Sequence, residues 1–238
     1  MNGRPVVAWS WGEGPAVVLM HGWGGFGAQL ASFVEPLRAA GFRAITFDAP
    51  GHGASGGSRL GDRRSTFFDF ADALRVLDER VGGVQALIAH SGGCTAAGWA
   101  IRQGWRVPSA VFVSPMASPL RYQRMFQAAL GLSENVLQRF ANNVERHLDF
   151  TWDELEMTGI PPIAETPRVL VIHDRDDRET SWREGESIAQ SWPGAELVTT
   201  RGLGHRRILR DDDVVRAAVE FVVRCASCTH DVACSSRC

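Results

Sequence analysis

Lysine is missing altogether: every one of the 25 Lys+Arg residues is arginine. That excludes lysine Schiff bases, P-loop phosphate binding and Ser–Lys dyads. Tyr122 is the only tyrosine, which removes Tyr–Lys hydride-transfer pairs as well. The net charge of -2 provides no overall basic field, so no nucleic-acid partner is expected. No run approaches the about 20 apolar residues that a membrane span needs, and no membrane partner is expected. Met1-Asn2-Gly3-Arg4-Pro5 leads into no long apolar stretch. A secretory signal is therefore not expected, and the default location is the cytoplasm.

Cysteine is scarce in the body of the chain, where Cys94 stands alone. Cys225, Cys228, Cys234 and Cys238 crowd the last stretch. A disulfide framework would spread its cysteines through the chain. A metal clip would use Cys225-x-x-Cys228 and Cys234-x-x-x-Cys238, with His230 between them. The gap from Cys228 to Cys234 is shorter than the usual zinc spacer. The expectation is a disordered appendage over residues 225–238, with a metal clip and thiol pairing as alternatives. No metal and no cofactor are expected.

At 238 residues, with 45% hydrophobic and 22% charged side chains, the chain can bury a core without staples. Short continuous apolar runs alternate with helical spacing. The strands read as Ala16–Met20, Ala44–Asp48, Ala86–Ala89, Ala110–Ser114, Arg168–His173 and Ala195–Thr200. Val6–Trp11 adds an antiparallel hairpin at one edge. Helical spacing links Phe67, Phe70, Ala71, Leu74 and Leu77, and again Val214, Val215, Ala218, Val219 and Val222. Such strands argue for an α/β fold, a mostly parallel sheet with helices on both faces. Between Ser114 and Arg168 the alternation stops. That segment reads as a helical insertion over the sheet. Its Met116, Met125, Phe126 and Phe140 are of the kind that usually packs.

Two turns carry chemistry. Ala89-His90-Ser91-Gly92-Gly93 lies between a strand and a helix, the context of a nucleophile elbow. The turn is so sharp that small residues must flank Ser91 at minus two and plus two. Ala89 and Gly93 fill those places. His21-Gly22-Trp23-Gly24-Gly25 directly follows the strand Ala16–Met20. A glycine-rich turn there can present backbone N–H groups to an anion. Those of Trp23 and Gly92 would form an oxyanion hole. The loop lacks the G-x-G-x-x-G spacing of a dinucleotide site.

With Asp48-Ala49-Pro50-Gly51-His52-Gly53-Ala54-Ser55 between them, these motifs resemble those of the α/β-hydrolases in order and spacing, over roughly residues 15–224. The resemblance is to the serine esterase and lipase branch with a small helical cap. It implies an eight-stranded sheet, for whose first one or two strands this chain is short. It implies a core from residues 1–115 and 168–224, with the cap at 116–167. It also implies a triad in the order Ser, acid, His. The acid must come from the cluster Asp174, Asp176, Asp177, and the family pattern favours Asp177, three residues past the usual glycine position. Asp176 is then expected to pair with Arg175 or Arg178. His205, in Gly202-Leu203-Gly204-His205, has the right order for the base. His21, His52 and His173 read as structural, and the side chain of His90 is expected to diverge from Ser91.

The implied activity is hydrolysis of a carboxylic ester of a small acyl substrate through an acyl-enzyme. Ser91 would attack, His205 would move the proton and Asp177 would orient it. Trp23, Met116, Met125 and Phe126 suggest an apolar acyl pocket by position alone. Thioester cleavage and peracid formation on the same triad remain alternatives, as does a catalytically silent binder of a small ligand.

Overall fold

A computed structural model describes residues 5–58, 60–159 and 166–235, with the side chains of the last helix given to Ser227. Its strands are β1 (Ala8–Trp11), β2 (Ala16–Met20), β3 (Arg43–Phe47), β4 (Val84–His90), β5 (Ser109–Val113), β6 (Arg168–Asp174) and β7 (Glu196–Thr200). They form one seven-stranded sheet in the order β1-β3-β2-β4-β5-β6-β7. All neighbours are parallel except β1, which runs antiparallel to β3 with Ala8 opposite Phe47. The edge strand at Val6–Trp11 is thus present, but not as a hairpin. Its partner is β3, and β2 lies one strand further in. Among the described residues the sheet has one strand fewer than the resemblance implies.

The helices are α1 (Val34–Ala39), α2 (Phe67–Val81), α3 (Gly92–Arg102), α4 (Pro119–Leu130), α5 (Glu134–Leu148), α6 (Trp182–Ser191), α7 (Gly204–Arg207) and α8 (Asp212–Ser235). Helix α2 starts where Thr66 and Asp69 cap each other: Asp69 N–H donates to Thr66 Oγ1 at 3.1 Å, and Thr66 N–H to the Asp69 carboxylate at 2.8 Å. This satisfies donors that no helical carbonyl can reach. Side chains alternate across each strand. In β2, Val18 and Met20 pack with α2, α3 and α6, whereas Val17 and Leu19 pack with α1 and α8. At the inner strands β2, β4, β5 and β6 both faces are dry, which is why these are apolar without alternation.

Helix α8 corrects the expected end of the core. It continues past Arg224, and Cys225 is 3% exposed within the layer that holds Val215, Ala218 and Val222. Position 225 extends the same helical stripe, where a buried cysteine side chain packs as a small hydrophobe. The side chains of Cys228, His230 and Cys234, and all of Cys238, lie outside the described residues. No described helix is long and apolar enough to cross a membrane.

The chain crosses from β2 to β3 on one side of the sheet and builds β4 to β7 on the other. The order therefore reverses between β2 and β4. In open α/β sheets, ligands bind outside the carboxyl ends of the strands at such a switch point. The loops that leave β2 and β4 there are the glycine-rich turn and the Ser91 turn.

Candidate active site

Ser91 is the N-cap of α3 with φ 52° and ψ -125°. A non-glycine residue stays in that region only when its surroundings enforce it. The enforcement is visible on both sides. The Ser91 N–H donates to Val113 O at 3.0 Å. A Cβ on Gly93 would sit 2.5 Å from His21 O, and one on Gly22 would sit 2.8 Å from Ser91 Cβ. Ala89 is fully buried. The small residues thus let strand, helix and glycine-rich turn converge on one serine.

His205 starts the last turn of the site, on α7. Its Nε2 lies 3.1 Å from Ser91 Oγ, and its Nδ1 lies 2.8 Å from Asp177 Oδ2. The Asp177 carboxylate is shielded from solvent. Its Oδ1 accepts the N–H groups of Glu179 and Thr180 at 2.8 and 2.9 Å. Burial works against its charge. Hydrogen bonds from His173 and His205, with the backbone N–H of Thr180, outweigh it and hold the carboxyl well below the usual carboxylate range. Of the competing aspartates, Asp177 alone touches His205.

The other two hold the loop that carries His205. Asp174 Oδ2 accepts from Thr200 Oγ1 at 2.6 Å and from Leu203 N–H at 3.1 Å, while Asp174 Oδ1 accepts Asp176 N–H at 2.9 Å. Asp176 Oδ2 accepts Gly202 N–H at 2.9 Å. The expected pairing of Asp176 with an arginine is therefore corrected. Arg175 instead stacks 4.6 Å over the Trp182 ring, which leaves Asp176 to the backbone.

Residues read as merely structural do more than pack. His173 Nε2 lies 3.3 Å from Asp177 Oδ2 and 3.1 Å from Thr180 O, so it carries its proton toward the same carboxylate as His205. Thr180 Oγ1 lies 3.0 Å from Asp177 Oδ2 and 3.1 Å from His205 Nδ1. Only the tertiary fold brings these together; the one signal in the sequence is the histidine just before the aspartate cluster. His90 diverges from Ser91, as expected, and its Nε2–H donates to His205 O at 2.9 Å. Burial, with nearby His205, pushes the His90 imidazole down to about 3.

The glycine-rich turn is held from outside by the 48–55 loop. His21 Nε2 accepts Ala49 N–H at 3.0 Å, and His21 Nδ1–H donates to Gly22 O at 2.7 Å. Burial lowers His21 to about 4, so it stays neutral in that tautomer. His52 Nε2 accepts Gly24 N–H at 3.1 Å, and Asp48 Oδ1 accepts Gly27 N–H at 2.7 Å. The turn so fixed brings Trp23 against Gly92: a Cβ on Gly92 would lie 3.6 Å from Trp23 N. Gly92 is the first residue of α3, so its N–H is a donor that no helical carbonyl takes.

Ser91 and His205 open into a cavity of about 1190 Å³. Trp23, Met116, Met125, Phe126 and Phe140 are on its wall. Met116 is 9% exposed, but Met125 is 54%, Phe126 64% and Phe140 55%. The packing expectation thus holds for Met116 only. The other three turn their apolar surface to the cavity because α4 and α5 carry it on the face toward Ser91.

A serine, a histidine and a shielded carboxylate in hydrogen-bond series can perform acyl transfer. The profile of a family described as alpha/beta hydrolase fold matches residues 15–162, and one described as TAP-like protein matches residues 151–234. A pimeloyl-[acyl-carrier protein] methyl ester esterase of Chromobacterium violaceum is 32% identical over 160 residues, 67% of this chain. The match spans only 60% of that relative's length. Among solved structures, a thermophilic esterase from Thermogutta terrifontis superposes with a TM-score of 0.68 at 19% identity, covering 93% of this chain and 94% of that one. A monoacylglycerol lipase from Paleococcus ferrophilus superposes with a TM-score of 0.68 at 20% identity, covering 93% and 99%.

Proposed function

Because the chain belongs to the α/β-hydrolase fold family, we propose that it is a serine hydrolase that cleaves a carboxylic ester through an acyl-enzyme. The observation that carries this reading is the continuous series Ser91 Oγ, His205 Nε2, His205 Nδ1, Asp177 Oδ2, with steps of 3.1 and 2.8 Å. In this reading His205 takes the Ser91 proton as Oγ attacks the ester carbonyl. The carbonyl oxygen becomes an oxyanion, which accepts from the N–H groups of Trp23 and Gly92. Asp177 keeps the proton of neutral His205 on Nδ1 and stabilises the imidazolium that forms. The imidazolium then protonates the departing alcohol oxygen. A water, deprotonated by His205, attacks the acyl-serine and releases the acid. Residues 116–167 act as a cap over a core made of 1–115 and the chain from 168 through the last helix.

The name of the Chromobacterium relative specifies a methyl ester, which favours an ester over a thioester here. Its carrier-linked acyl group stays with that relative. A chain-length series of activated esters and matched thioesters tests the reading on wild type and Ser91→Ala. Esters should turn over in the wild type and fall to near background in the variant. A flat result across both series would make the chain a silent ligand binder, and preference for thioesters would make it a thioesterase.

A further inference from the structure

The cavity is electrically one-sided. Its α4–α5 wall presents exposed Met125, Phe126 and Phe140. Large apolar side chains clustered in the open mark a binding surface. Apart from histidine, its charged side chains are Glu179, Arg206, Arg207 and Arg210. Glu179 and Arg206 neutralise each other through a bidentate pair at 2.9 and 3.1 Å. Arg207 is held by backbone carbonyls, with Nε donating to Leu203 O and Nη2 to Gly202 O. Those contacts fix its position without cancelling its charge. Among the described residues Arg210 has no carboxylate partner. Two uncompensated positive charges thus stand on one edge of an otherwise neutral cavity.

That edge has a defined relation to the chemistry. Arg207 and Arg210 follow His205 on the same short segment, residues 204–210. His205 is the group that hands a proton to the leaving alcohol oxygen. The carbonyl oxygen is directed elsewhere, to the loop of Trp23. On the ester-hydrolase reading the alcohol portion lies on the His205 side of the site, the side from which Arg207 and Arg210 line the cavity, and the acyl chain is left to the apolar wall. We infer that the substrate is an amphiphilic ester, with an apolar acyl chain against α4 and α5 and an anionic group on its alcohol portion met by Arg207 and Arg210. This rests on the ester-hydrolase reading and specifies its substrate. Guanidinium groups match the paired oxygens of carboxylate and phosphate alike.

The test uses octanoyl esters of matched phenols on the full chain. The neutral reference is the para-carbamoylphenyl ester. The para-carboxyphenyl and para-phosphonophenyl esters place an anion on the alcohol side. A fourth compound, the para-carbamoylphenyl half-ester of octanedioic acid, places it at the acyl end. At low salt kcat/KM for an alcohol-side anion should exceed the neutral reference by about three- to tenfold, the range of partly exposed charge pairs. The preferred anion identifies which of the two groups the natural alcohol carries. The ratio should shrink at about 1 M salt, where the screening length falls to about 3 Å. It should shrink in Arg210→Gln, which leaves the charge of Arg207, and approach one in Arg210→Glu, where the two charges cancel. Arg210 is the cleaner position, because Arg207 also ties down the loop before His205.

A ratio of one in the wild type, a ratio unchanged in Arg210→Glu, or a preference for the acyl-end anion would overturn the inference. If the neutral ester turns over while the anion makes no difference, the hydrolase reading stands and this one falls. If none of the four turns over, both fall.

Discussion

Replacing Asp177 and Asp176 separately by asparagine removes one charge each from adjacent positions, with opposite expected consequences. In the native site Asp177 Oδ1 accepts two backbone N–H groups, those of Glu179 and Thr180. Asparagine has one acceptor oxygen and one donor NH2. If the oxygen keeps the two backbone bonds, the NH2 faces His205 Nδ1. The imidazole must then accept at Nδ1 and carry its proton on Nε2, pointing at Ser91 Oγ. A base in that tautomer cannot take the serine proton. The flipped amide is no escape, since its NH2 would confront two N–H donors. The comparable tautomer error in a Ser-His-Asp site costs on the order of 10⁴ in kcat, about 5 kcal/mol of barrier. Asp176 offers one oxygen to Gly202 N–H at an exposed position. Asparagine can keep that bond, so Asp176→Asn should cost less than about tenfold. Steady-state kcat on an activated ester, with melting curves to establish folding, compares the two. A large loss in Asp176→Asn beside a small one in Asp177→Asn would refute the reasoning.

Stability should fall as the solution is acidified. His90 is held near 3 and His21 near 4, mainly by burial, against about 6.5 in an unfolded chain. Between those values the unfolded state binds protons that the native state does not, so stability is full above about pH 6.5 and drains below it. At pH 4 His90 alone should account for about 3 kcal/mol; a denaturation midpoint that is constant from pH 7 to pH 4 would contradict the burial. Gly93→Ala puts a methyl group against His21 O, and should cost about 1–3 kcal/mol with a larger loss of kcat; unchanged activity would show that the turn relaxes freely. Truncation after Arg224 removes the buried Cys225 and should cost about 1 kcal/mol, read as a lower Tm. An unchanged Tm would make the last segment dispensable from residue 225 onward.

The parts legible in the sequence are those whose signal is local. Continuous apolar runs mark β2, β4 and β5, because both faces of a parallel sheet are dry. Ala89 and Gly93 mark the Ser91 turn, because backbone approach leaves no room for larger groups. Among its neighbours, Asp177 is singled out in the sequence only by the family's spacing. What local pattern could not supply is partner choice. Nothing in Ala8–Trp11 says that it pairs with β3 rather than with β2, the next strand along the chain. His173 reads as a core residue because it is one, and its second task toward Asp177 depends on a loop that folds back. Asp174 and Asp176 look like surface charge until β7 brings Thr200, Gly202 and Leu203 to them. Met125, Phe126 and Phe140 share the composition of a core, and only the placement of α4 and α5 turns them toward a cavity.

The central claim, that Ser91 is the nucleophile, is tested most directly by labelling the full chain with a fluorophosphonate and mapping the adduct by peptide mass spectrometry. A fluorophosphonate phosphonylates a serine only when a neighbouring base and oxyanion donors activate it. The account predicts a single adduct, on Ser91, absent from Ser91→Ala and strongly slowed in Asp177→Asn. Labelling of Cys94 or Ser55 instead, or of Ser91 at the same rate in Asp177→Asn, would contradict it.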